Sequence, residues 1–225
     1  MKCEVSKYRY PFGYEEIDCL SALGLLRKLL PDLSGQVCPE QMEVKLHGNA
    51  EGRYIIPRWR AVGETYCQAT ARMFGVLSHY LGSSFESYCN EELQGNEFNL
   101  TEQTARGLLR IEGQQPGCDF LFVQAQFGKV HAGKTLSQVN ASLREEEFLL
   151  GPFEGACMLL TNPGRLVSEG EDSLWLSTPG AQIMRSYNKD QVHVPGFAFY
   201  QGKIQCGTGE GDGHSERFGT VTAFA

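Results

Sequence analysis

The sequence predicts an α+β protein, with helices packed on a mostly antiparallel sheet. Three observations lead there. Two stretches within the first hundred residues repeat apolar side chains at three- and four-residue spacing, the mark of an amphipathic helix. From Thr104 onward the chain breaks into short β-prone runs separated by turn signals such as Asn162-Pro163-Gly164 and Thr178-Pro179-Gly180. The regular strand–helix alternation that a parallel sheet needs is missing.

The first helix is expected over Tyr14 to Leu30, where Ile17, Leu20, Leu23, Leu26 and Leu30 share a face and Pro31 ends the pattern. Met42, Val44 and Leu46 alternate with polar neighbours, Gly48-Asn49-Ala50-Glu51-Gly52 turns, and Arg53-Tyr54-Ile55-Ile56 returns before Pro57, which predicts a hairpin. Val62, Tyr66, Ala69, Met73, Val76 and Tyr80 predict a second helix ending at Gly82. Residues 83–102 are polar and weakly patterned, the candidate connection between a helix–hairpin–helix lobe (1–95) and a strand-rich lobe (96–225) that together could form one domain. Strands are expected over Ala105–Glu112 and Cys118–Phe127, then a helix on Leu136, Val139, Leu143 and Leu150 that breaks at Gly151-Pro152. Ala156–Thr161, Ser173–Ser177 and Gln191–Tyr200 complete the β-like runs.

The 225 residues suffice for a substantial core. No apolar run reaches the length of a membrane helix, and the first ten residues lack the apolar segment of a secretory signal, so a cytoplasmic protein without membrane contact is expected. The eight cysteines form no C-x-x-C pair and no zinc-ribbon spacing. They are expected to be buried, reduced thiols, with no metal and no cofactor. Twenty basic against 27 acidic side chains leave a net charge of −7. A free-standing nucleic-acid binder carries the opposite excess, so any such contact must use a local patch or be shared with neighbouring subunits.

The most unusual stretch runs from Gly207 to Val221, where Gly207, Gly209, Gly211 and Gly213 alternate with other residues before Gly219. Glycines let a backbone approach another molecule closely, and loop amides can cradle anions; the ordinary reading is a surface loop. Within it Asp212, His214 and Glu216 lie within five residues, near Cys206, a grouping that could hold a metal or let His214 act as a general acid–base, although a glycine-flanked histidine is ordinarily just solvated. Arg58-Trp59-Arg60 sets two cations about an aromatic plane, which suits base stacking with phosphate pairing, or simply entry to a helix. Gly128-Lys129-Val130-His131-Ala132-Gly133-Lys134-Thr135 fits the phosphate-loop pattern G-x-x-x-x-G-K-[ST], with Gly128, Gly133, Lys134 and Thr135 as its nucleotide-binding positions. Against it, the 90 residues after Thr135 lack further strand–helix units, and no later apolar strand ends in the aspartate that would hold magnesium.

The second half of the chain resembles the RAMP proteins of CRISPR effector complexes. Pro116–Val123 looks like the family's strand after a Pro-Gly turn, Leu136–Leu150 like its helix, and Leu149–Ala156 like a degenerate glycine loop. Val194-Pro195-Gly196-Phe197-Ala198-Phe199-Tyr200 is similar to a later family strand, and Gly209 through Val221 to the C-terminal glycine loop. Arg53–Arg60 looks like the strand and proline after the family's first hairpin. The resemblance covers about half of the chain. It implies ferredoxin-like, RRM-like elements and a non-enzymatic RNA-binding or scaffolding subunit of a ribonucleoprotein complex in antiviral defence. Its contacts would come from Gly207, Gly209, Gly211, Gly213, His214, Arg217, Gly219, Arg58, Trp59 and Arg60. The loop also carries Glu210, Asp212 and Glu216 and ends Arg217-Phe218-Gly219 where the family has Gly-aromatic-Gly, which leaves room for a loop that meets protein. Two other readings stay open: an acidic protein-interaction module such as an inhibitor or adaptor, and a nucleotide-hydrolysing enzyme built on Lys134 and Thr135.

Overall fold

The computed structural model describes residues 10–167, 173–183, 192–211 and 216–225. The helices are α1 (Cys19–Leu29), α2 (Trp59–Val62), α3 (Tyr66–Leu81), α4 (Asn90–Gln94), α5 (Glu102–Gln114), α6 (Leu136–Ser142) and α7 (Pro152–Thr161). The strands are β1 (Gly52–Pro57), β2 (Phe85–Ser87), β3 (Phe98–Leu100), β4 (Phe120–Gln126), β5 (Glu147–Leu149), β6 (Trp175–Ser177), β7 (Ala181–Ile183), β8 (His193–Tyr200), β9 (Lys203–Glu210), β10 (Phe218–Thr220) and β11 (Thr222–Phe224). The class is α+β.

One sheet has the order β1-β4-β11-β5, with every neighbouring pair antiparallel. β4 and β5 therefore run parallel to each other on either side of β11, and the chain passes between them through α6. This is the split β-α-β arrangement of ferredoxin-like sheets. Tyr54, Ile55 and Ile56 on β1 and Phe120 to Val123 on β4 are buried without a break. Successive strand side chains point to opposite faces, so both faces of this sheet are covered. α1 and α7 pack on β1, and α5 packs on β4 and β5.

The second sheet is built on β8. Along one edge β8 pairs with β9 over its whole length, from His193↔Glu210 to Tyr200↔Lys203. Its other edge takes β6 and β7; β10 then joins β6 in parallel, β3 joins β7, and β2 joins β9 in parallel. Both sheets draw strands from either side of residue 95, since β1 pairs with β4 and β2 with β9.

α7 lies between the two sheets. It packs on β1, while a Cβ on its Gly155 would sit 2.7 Å from Thr178 Cγ2 and 3.2 Å from the Phe197 ring. All ten of its residues are buried, as suits a helix that is apolar on every side. Gly151-Pro152 starts this helix instead of breaking one, because proline at the first helical position has no N–H to leave unpaired. Glu154 is the acidic exception. Its carboxylate accepts from Tyr66 Oη at 2.7 Å and from the Gly151 N–H at 3.1 Å, and burial pushes its pKa up to about 6.

The C-terminal segment stitches the sheets together. β10 belongs to the second sheet and β11 to the first. Between them Val221 donates to Ser177 O at 2.9 Å and accepts from Leu150 N at 3.1 Å. Gly219 meets Gly128 so closely that a Cβ on Gly219 would overlap the Gly128 carbonyl oxygen.

Five sequence expectations are corrected. Ala105–Glu112 is part of α5, whose buried Thr104, Gly107, Leu108 and Ile111 follow helical spacing; Thr101 caps it by accepting from Thr104 N at 3.2 Å. Ala156–Thr161 is helical within α7, and the stretch 149–156 likened to a glycine loop spans the end of β5 and the start of that helix. The helix expected over Leu136–Leu150 divides into α6 and β5. Residues 42–46 form no strand: β1 takes β4 as its partner, Val44 and Leu46 stay exposed, and the Gln124 side chain holds Lys45 O and His47 N. The seven cysteines among the described residues are free thiols, with Cys3 outside them.

Two predictions follow from the packing. Gly219→Ala forces backbone against backbone and should destabilise the protein by about 3 kcal/mol, whereas Gly207→Ala, whose Cβ meets open space, should stay within about 0.5 kcal/mol; urea denaturation of both variants measures this. Glu154, with its folded pKa raised, contributes stability that is fully present below the ordinary carboxylate range and is lost as pH rises through about 6. Relative to Glu154→Gln, the wild type should therefore lose roughly 2 kcal/mol between about pH 4.5 and 7.5, measured by the same denaturation at the two pH values.

Candidate functional site

A cleft of about 400 Å³ opens over the outer face of β8 and β9. Its floor is mostly backbone, because Gly196 faces Gly207 across the pair and Gly209 follows opposite Val194. A Cβ added to Gly207 or Gly209 would meet open space, so these glycines set the depth of the cleft and are not needed for packing. Lys134 and Leu136 form one wall, Phe218 and Thr220 of β10 another, and Tyr88 stands beyond β2. The Phe218 ring lies over Gly196, where a Cβ would come within 3.1 Å of it, and meets Trp175 edge to face at 5.4 Å.

The glycines of the C-terminal stretch thus divide by role. Gly207 and Gly209 are strand residues on the cleft floor. Gly211 closes the end of β9 by donating to Val192 O at 2.8 Å and packs near Leu136. Gly219 is the close contact with Gly128. Arg217 lays its guanidinium 4.8 Å over Trp175. Asp212, Gly213 and His214 lie outside the described residues. Among the described residues no group of three or more His, Cys, Asp or Glu is placed to hold a metal ion, and no helix is long and apolar enough to cross a membrane.

The loop from Gly128 to Thr135 does not have the form of a phosphate loop. In such a loop the backbone amides point together at the ligand. Here Gly128 N and Val130 N donate to Gln126 Oε1, Ala132 N to Lys129 O, Gly133 N to Phe218 O, Lys134 N to His131 O and Thr135 N to Gln138 Oε1. The Thr135 hydroxyl caps α6 by accepting from Gln138 N at 3.2 Å. Gly128 and Gly133 have φ of +103° and +74°, so they serve the turns of a loop folded onto β10. These bonds argue against nucleotide binding at the motif, but they leave the Lys134 side chain at the cleft.

Behind Lys134 lies a buried polar chain. Lys134 Nζ is 3.3 Å from His131 Nδ1, His131 Nε2 is 2.8 Å from Glu147 Oε1, and Thr222 Oγ1 donates to that same oxygen at 2.6 Å. His131 and Glu147 are each 2% exposed. Burial pushes the Glu147 pKa up, but the hydrogen bonds from His131 and Thr222 outweigh it and hold the carboxyl below its ordinary range.

Arg58, Trp59 and Arg60 stand apart from the cleft. Arg58 donates to Cys118 O and Gln115 O, and to Glu112 O at 3.3 Å, so it closes the C-terminal end of α5. Its charge is paired with Glu112 at 3.5 Å. Trp59 packs edge to face on Tyr66, and the Arg60 guanidinium covers it at 4.3 Å. The stacking plane is therefore used within the protein.

The structure brings together Gly207, Gly209, Gly211 and Lys134, which are separated by more than seventy positions in sequence. Sequence reasoning missed the Tyr88 and Phe218 walls and the His131–Glu147 chain. Tyr88 reaches the cleft through the pairing of β2 with β9, for which the polar stretch 83–102 carries no signal. No family model, curated protein or solved structure matches the chain.

Arg58→Ala leaves several carbonyls at the end of α5 without a donor and should lower stability by about 3 kcal/mol. Arg60→Ala removes a half-exposed partner of Glu112 and should change it by less than about 1 kcal/mol, as measured by urea denaturation.

Proposed function

We propose that the protein is a non-enzymatic subunit of a CRISPR-type ribonucleoprotein complex, and that the cleft over β8 and β9 receives a short stretch of single-stranded RNA. The observation that carries this reading is the shared cleft of Gly207, Gly209, Lys134 and Phe218. A glycine floor lets a flat base approach the backbone, and aromatic groups at its edge offer stacking surfaces. Lys134 supplies the local cation for a phosphate. The split β-α-β sheet is the kind of element that the RAMP resemblance implies. The net charge of −7 leaves most phosphate neutralisation to neighbouring subunits. The cytoplasm is the compartment that fits this role.

The test uses tagged protein recovered from its native host with associated material. Wild type should carry RNase-sensitive nucleic acid and further subunits. Gly207→Leu combined with Gly209→Leu fills the cleft through open space; it should melt with the wild type and retain roughly a tenth of the RNA or less. A stable complex of proteins without nucleic acid would replace RNA by a protein partner, and full RNA retention by the filled variant would remove the cleft from the account.

A further inference from the structure

Strand register gives the cleft floor an internal order. Gly207 on β9 faces Gly196 on β8, Gly196 faces Ser177 on β6, and Ser177 faces Thr220 on β10. The four residues form one row across four strands, and all of them line the cleft. Half of the row is bare backbone. The other half sets two hydroxyls side by side, one strand spacing of about 4.8 Å apart. Among the described residues neither hydroxyl is taken by a protein partner, whereas the nearby Thr178 hydroxyl donates to Pro195 O at 3.0 Å and that of Thr222 to Glu147 Oε1 at 2.6 Å. Lys134 belongs to the hydroxyl side of the row. Its loop is pinned to β10 by Gly133 N donating to Phe218 O at 2.9 Å, and the polar chain behind its ammonium ends at Thr222, two residues beyond Thr220.

We propose, building on the RNA reading of the cleft, that Ser177 and Thr220 recognise the ribose 2′-hydroxyl and make the cleft select RNA over DNA. A base is flat and lies over Gly207 and Gly196, beside the Phe218 ring. Its sugar then falls one strand further, over Ser177 and Thr220, and its phosphate toward the Lys134 ammonium. The order base, ribose, phosphate thus matches the order glycine, hydroxyl, cation. A hydroxyl donates one proton and accepts through two lone pairs. Two neighbouring hydroxyls can therefore take the 2′-OH proton and donate to its oxygen at the same time. A deoxyribose presents only C–H there, and the sugar covers both hydroxyls without giving them a partner. The 2′-OH is the group by which a protein distinguishes RNA from DNA at a given position.

The purified protein is titrated by fluorescence anisotropy at low salt, where phosphate contacts are strongest. The probe is a short single strand containing all four bases, made once as RNA and once as DNA with uracil in both. RNA should bind about tenfold more tightly, the worth of one or two hydrogen bonds. Ser177→Ala combined with Thr220→Val should lower RNA affinity to that of DNA and leave DNA affinity within about twofold. A second readout needs no variant: RNA methylated on every 2′-oxygen loses the donor and gains bulk, so wild type should bind it no better than DNA. Equal affinity of wild type for RNA and DNA would overturn the selection and leave the cleft as a nucleic-acid site. An RNA preference that survives in the double variant, or tight binding of the methylated strand, would remove Ser177 and Thr220 from the contact. Binding of neither strand would overturn this selection and the RNA reading together.

Discussion

The rest of the structure depends on α7, a ten-residue helix buried on every residue. A helix can be apolar all round only where every face is covered, and two separate sheets with α3 provide that cover. On one side α7 lies on β1, where side chains on both faces of the strand are buried. On the other, Gly155 admits Thr178 and Phe197 to the helix surface. Its polar termini meet the same demand for partners. Glu154 and Tyr66 serve the start, and at the end Asn162 donates to Met158 O and accepts from Ile17 N.

That arrangement places the cleft. The β6–β7 connection is held on the end of β5 by Gly180 N donating to Leu150 O, and β10 is held beside β6 by the Trp175–Arg217 bond and the Val221–Ser177 bond. β10 in turn pins the Gly128–Gly133 loop through the Gly219 contact and through Gly133 N to Phe218 O. Lys134 leaves that loop one residue later. The position of its ammonium is thus set by backbone close packing and by the His131–Glu147 chain, so the amine sits on rigid elements although it belongs to a loop.

How much of this was legible depended on whether the signal was local. The repeat through Leu23, Leu26 and Leu30 marked α1, and the unbroken apolar run around Phe120–Val123 marked β4, because both patterns complete themselves within a dozen residues. Ala156–Thr161 was misread because a short apolar run has the same composition in a buried helix and a buried strand. Leu108, Leu109 and Ile111 pulled α5 toward strand, although burial of Thr104, Gly107, Leu108 and Ile111 follows the helical period. The glycine stretch and the Lys134 loop were both noticed, but nothing local says that they share one cleft. Their meeting depends on β10 pairing with β6 and on Gly219 touching Gly128. Arg58 taught the converse lesson: a cation beside an aromatic residue looked outward in sequence, while in the fold it serves carbonyls at the end of α5.

The central claim is that α7 joins the two sheets into one cooperative unit. Native-state hydrogen exchange across a series of low denaturant concentrations tests it most directly. The account predicts that amides in β4, α7 and β8 open with one common free energy and one common denaturant dependence, equal to those of global unfolding. Exchange of the β8 and β9 amides through a separate opening, of lower free energy and shallower denaturant dependence than β4, would contradict it.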